Sequence, residues 1–92
     1  MEDNIQFNPA AFKHGFTKEN IYRVIETKIY EGPVDGQENK YAIIGFDLVG
    51  NPLEIMYNII DDESINIFHA MKCRKNFLKQ LAKMKGNNIW LK

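Results

Sequence analysis

The chain has 92 residues, with 12 basic and 12 acidic side chains and 45% apolar residues. That is one domain's worth of core, and the apolar fraction together with 11 aromatic residues (6 Phe, 4 Tyr, 1 Trp) excludes a disordered chain. The acidic, polar start Met1-Glu2-Asp3-Asn4 does not read as a secretory signal, no apolar run approaches the roughly 20 residues of a membrane helix, and a lone Cys73 points to a reducing cytoplasm rather than a disulfide framework.

The first element signal is Asn8-Pro9-Ala10-Ala11-Phe12-Lys13-His14-Gly15. Asn8 suits an N-cap, Pro9 the first helical position and Gly15 the left-handed C′ position, so a helix of barely two turns is expected. A second helix, about 18 to 28, is expected after Thr17 as its cap. Phe16 can staple onto Ile21, and Ile21, Val24 and Ile25 form an apolar stripe. A short strand around Ile29–Glu31 is punctuated by Gly32-Pro33 and Asp35-Gly36. Tyr41–Val49 then alternates, with Ala42, Ile44, Phe46 and Leu48 on one face and Tyr41, Ile43, Gly45 and Asp47 on the other. Gly50-Asn51-Pro52 turns the chain into Leu53–Ile60, and Asp61-Asp62-Glu63 turns it again into Ile65–Met71. Connections this short imply an antiparallel meander. From Cys73 to Lys85 the period is helical: Phe77, Leu78, Leu81 and Met84 make one stripe, and Lys75, Lys79 and Lys83 another flank. Gly86 should end this helix, before an apolar Ile89-Trp90-Leu91 tail. The expected fold is α+β: two N-terminal helices, an antiparallel meander of about four strands, and a C-terminal helix packed on the sheet.

The balanced charge conceals a division. Residues 1–70 carry five basic and twelve acidic side chains, a net −7, and residues 71–92 carry seven basic and no acidic ones, a net +7. Such asymmetry directs attention to an anionic partner for the last segment.

No zinc pattern, phosphate loop, serine elbow or paired-carboxylate motif is present, so neither metal nor cofactor is expected. What remains is cationic and imidazole side chains at element ends: Lys13 and His14, His69, then Lys72, Arg74 and Lys75. Two histidines with lysine and arginine suffice for metal-free cleavage of RNA. One imidazole takes the 2′-OH proton, another protonates the leaving oxygen, and a guanidinium fork matches the phosphate. Each also has a purely structural reading. His14 can serve the helix C-terminus, His69 follows Ile65 and Ile67 at spacing two and so falls on their core side, and the lysine ridge can be a solvated flank. Glu54 reads as a solvated or hydrogen-bonded strand carboxylate with no catalytic part, and Tyr41 and Tyr57 as half-buried strand aromatics or base-stacking platforms. Cys73, between Lys72 and Arg74, is placed for a lowered thiol pKa, although no partner for it can be named.

Phe12-Lys13-His14-Gly15-Phe16-Thr17, leading into an amphipathic helix, resembles the Lys-His-Gly signature near the start of BrnT toxins, within the RelE/ParE-like group. Ile67-Phe68-His69-Ala70-Met71-Lys72-Cys73-Arg74 sits where that family has a strand ending in an Ile-Ser-Ala-Arg-like motif before a basic helix; here His69 and Met71 replace its serine and arginine. The resemblance, over about residues 6 to 85, implies a toxin of a toxin-antitoxin module: a metal-independent endoribonuclease neutralised by a small antitoxin, typically ribbon-helix-helix. Carried over by motif position, His69, His14, Lys13 and Arg74 are the catalytic candidates; the basic segment and the strand aromatics add Lys72, Lys75, Lys79 and Tyr57 as RNA-binding ones. The rival reading is a non-catalytic module whose basic C-terminal helix binds an acidic protein; a homodimer stays open in either case.

Overall fold

The computed structural model describes residues 4–85. Its elements are β1 (Ile5–Phe7), a short 3₁₀ helix (Pro9–Phe12), α1 (Lys18–Glu26), β2 (Tyr30–Pro33), β3 (Tyr41–Phe46), β4 (Pro52–Asp61), β5 (Ser64–Lys72) and α2 (Lys75–Lys85). The fold is α+β, with one five-stranded mixed sheet in the order β1-β5-β4-β3-β2. Strands β2 to β5 form the expected antiparallel meander. The expected four strands become five because β1 runs parallel to β5, Ile5 beside Ile65 and Phe7 beside Ile67. Three residues carry too short an alternation to announce themselves; their partner makes them a strand. Among the described residues no helix is long and apolar enough to cross a membrane.

The first expected helix is corrected to a single 3₁₀ turn. Asn8 accepts from the Ala10 N–H, as its cap role requires, but Lys13 N–H and Gly15 N–H bond back three residues, to Ala10 and Phe12. Gly15, at φ +89°, then reverses the chain before an α-helical nucleus can extend. Thr17 caps α1 by accepting from the Asn20 N–H at 3.2 Å.

Helix α1 covers one face of the sheet. Ile21 and Val24, both fully buried, pack with Ala11, Ile43, Leu53, Ile55, Tyr57, Ile67 and Ala70 in the apolar core. The helix approaches β3 closely at Gly45, where a Cβ would collide with the carbonyl oxygen of Val24. At the same point Thr27 Oγ1 accepts from Phe46 N–H at 2.8 Å and donates to the Arg23 carbonyl at 2.8 Å, clasping the helix end to β3. Strand β3 stops at Phe46 rather than Val49 because the Asp47 carboxylate accepts from the N–H groups of Val49 and Asn51 and closes a turn.

The second face carries the alternate residues, with Tyr30, Ile44, Glu54 and Met71 in one cross-strand row and Gly32, Ala42, Met56 and His69 in the next. Helix α2 begins over this face. It starts at Lys75 rather than Cys73, and Phe77 meets the ring of Tyr30 edge-on at 5.9 Å. The expected stop at Gly86 and the Ile89-Trp90-Leu91 tail lie outside the described residues.

Candidate functional site

A one-residue irregularity in β5 decides which face His69 occupies. Tyr57 pairs with Ile67 and Met56 with His69, so Phe68 is the extra residue of a β-bulge. Ile65, Ile67 and Ala70 stay with the α1 core, while His69 moves to the second face opposite Met56. The spacing-two expectation that His69 shares the core side of Ile65 and Ile67 is thereby corrected.

On that face His69 meets three other candidate groups. Its ring lies 6.1 Å from that of His14, at an interplanar angle of 78°. His69 Nε2 stands 3.6 Å from Glu54 Oε2, and Arg74 grips the same carboxylate: Nη2 donates to Oε2 at 3.0 Å, Nε to Oε1 at 3.2 Å and the Arg74 backbone N–H to Oε1 at 3.4 Å. Glu54 is fully buried, whereas the Arg74 side chain is 58% exposed and that of His69 26%. A carboxylate out of water needs bonds of this kind. It also sits at the positive end of α2, whose own first turn has no acidic residue, so β4 supplies what the helix lacks.

Burial of His69 holds its imidazole below the ordinary value of 6.5; Glu54 pulls the other way, and the neighbouring His14 and Arg74 add to the lowering. The ring is therefore neutral at pH 7. Its Nε2 is buried without a hydrogen-bond partner, since 3.6 Å lies outside that range.

Lys13 and Lys75 are exposed neighbours in sequence of His14 and Arg74; Lys79 and Lys83 follow as exposed residues one and two turns farther along α2. Lys72, opposite Leu53, is exposed at the end of β5. Tyr57 is not brought to the cluster. It is only 8% exposed, lies on the α1 face stacked on Tyr41, and donates its hydroxyl to Glu31 Oε2. Burial and Glu31 raise its phenol pKa well above 10, so it is a packed strand aromatic rather than an open platform. Cys73 is corrected as well. Burial and the Glu54 carboxylate push its thiol up to about 11, outweighing Arg74. Among the described residues no group of three or more His, Cys, Asp or Glu side chains could hold a metal ion.

Glu54 is the hydrogen-bonded strand carboxylate that the sequence allowed, but its place at the centre of the cluster was not foreseen. Its one signal is a single charge inside the apolar run Leu53-Glu54-Ile55-Met56-Tyr57, where a solvated side chain would cost strand burial.

No family model, curated protein or solved structure matches this chain.

Proposed function

We propose that the protein is a metal-independent endoribonuclease, the toxin of a toxin-antitoxin module, with its site on the second face of the sheet. The observation that carries this reading is the convergence of His14, His69 and Arg74 around the buried Glu54, where the basic C-terminal segment begins.

His69 is the general base. The Glu54 carboxylate, 3.6 Å from Nε2, favours the tautomer that carries its proton there, and Nδ1 is left to take the proton of the ribose 2′-OH. A neutral ring at pH 7 is the form that accepts. The 2′ oxygen attacks the phosphorus, and the exposed His14 donates a proton to the departing 5′ oxygen. Charge gathering on the phosphorane is met by the exposed part of the Arg74 fork, which Glu54 holds in place through Nε and Nη2, and by the exposed Lys13, next to His14 in the chain. Lys75 and Lys79, exposed along α2, are offered to the rest of the RNA backbone, whereas Lys72, paired with Leu53, shares the α1 face and is not assigned to the site. Glu54 thus acts as a positioning residue.

The test is cleavage of a long unstructured RNA by the purified protein in EDTA. Cleavage should survive EDTA, fall about 10²–10⁴-fold in His69→Ala and again in His14→Ala, and cause growth arrest on expression that depends on both histidines. Undiminished cleavage by His69→Ala, in a variant whose circular dichroism matches the parent, sinks the assignment.

A further inference from the structure

Beside the cluster lies a groove of about 430 Å³, whose lining includes Tyr30, Asp35, Met56, Arg74, Asn76 and Phe77. Its shape follows from residue size. The row beneath it holds Gly32 and Ala42 next to Met56, and the hydroxyl end of Tyr30 folds back over Gly32, where a Cβ would come within 2.6 Å of it. Gly32 thus makes room for the Tyr30 side chain, which with Met56 lines a depression between the β2–β3 turn and the first turn of α2. Its walls are two aromatic rings and a thioether, a surface suited to a flat, apolar ring.

The polar groups stand at different parts of the rim. Arg74 belongs to both groove and cluster, so the groove opens onto the place where the scissile phosphate is held. Asp35 comes from the β2–β3 turn and Asn76 from α2. A carboxylate there repels a phosphate and favours a base edge with two adjacent donors. Guanine offers that pair, N1–H and the N2 amino group, and its O6 can accept from the Asn76 amide. Adenine would set its N1 lone pair against the carboxylate.

We propose that this groove is a base subsite that takes guanine, stacked on the Phe77 ring with its edge toward Tyr30, next to the phosphate at Arg74. The assignment rests on the ribonuclease reading for its substrate, and it gives that activity a sequence preference: cleavage beside guanosine.

Calorimetric titration of the whole chain with guanosine 3′-monophosphate and adenosine 3′-monophosphate tests it. Guanosine 3′-monophosphate should bind about tenfold more tightly. Asp35→Asn, at an exposed turn, should bring the two affinities together, and Phe77→Ala should weaken both about tenfold. Equal affinities in the parent, no binding of either nucleotide, or indifference to both variants overturns the subsite. RNA cleavage without this nucleotide binding removes the subsite and leaves the ribonuclease standing. Nucleotide binding that responds to both variants, with no cleavage of RNA, supports the subsite and removes the ribonuclease.

Discussion

Replacing Arg74 by alanine leaves the Glu54 carboxylate fully buried and facing His69 without the guanidinium that bonds both its oxygens. Removing one member of a buried pair costs about 3–5 kcal/mol. Two features of the structure set the lower end. The Arg74 side chain is 58% exposed, so water already screens part of the attraction, and the backbone N–H of residue 74 still reaches Oε1 at 3.4 Å. About 3 kcal/mol in a domain of this size lowers Tm by roughly 15 °C. Glu54→Gln should cost less, because the half-exposed guanidinium regains water while the stranded carboxylate could not. The two variants also move His69 oppositely. Arg74→Ala removes a lowering charge and leaves the carboxylate to attract a proton, so the His69 pKa rises; Glu54→Gln removes the raising charge, so it falls. Scanning calorimetry and NMR titration of the imidazole read both effects. An Arg74→Ala protein melting within about 2 °C of the parent, with His69 titrating unchanged, would refute the account of the cluster.

Gly45→Val should lift α1 from β3 by driving side-chain atoms against the Val24 carbonyl, costing about 2–3 kcal/mol in urea unfolding; an unchanged midpoint would mean that the helix does not pack there. The depressed pKa of His69 makes the unfolded chain bind more protons below 6.5. Its share of stability is therefore full above 6.5 and lost as pH falls through the lower folded value, and urea midpoints between pH 7.5 and 5 should drop less in His69→Gln than in the parent. With its thiol at about 11, Cys73 should alkylate with iodoacetamide far more slowly at pH 7.5 than a free cysteine, and rapid modification would contradict its burial beside Glu54. Tyr57→Phe removes the hydroxyl bond to Glu31 and should cost about 1 kcal/mol of unfolding free energy, with the Glu31 carboxyl titrating higher as one of its lowering partners is lost.

The meander was legible because each of its longer strands is bounded by turn residues whose chemistry is local: Gly50-Asn51-Pro52 on one side and Asp61-Asp62-Glu63 on the other. Helix α1 was legible for the same reason, since Thr17 and the stripe Ile21, Val24 and Ile25 lie within one short window. What escaped depends on partners distant in sequence. Ile5–Phe7 becomes a strand through Ile65–Ile67, 60 residues later in the register. Glu54 could be read as solvated or hydrogen-bonded but not decided between the two, because the groups that receive it, Arg74 and the start of α2, come 20 residues afterwards. His69 and Arg74 could be singled out by type and position. That they share one carboxylate, and that His14 reaches the same spot from the edge of the sheet, follows from topology alone.

The unpaired Phe68 makes the length of β5 adjustable. With one residue fewer between Ile67 and His69, Ile67 would still face Tyr57, His69 would still face Met56, and the inside–outside alternation would run unbroken through Ala70 and Met71. The extra residue contributes bend and twist rather than pairing. Chains descended from the same fold can therefore gain or lose a residue here without exchanging core for site, and an alignment of such chains should be allowed its gap at this one place in the strand.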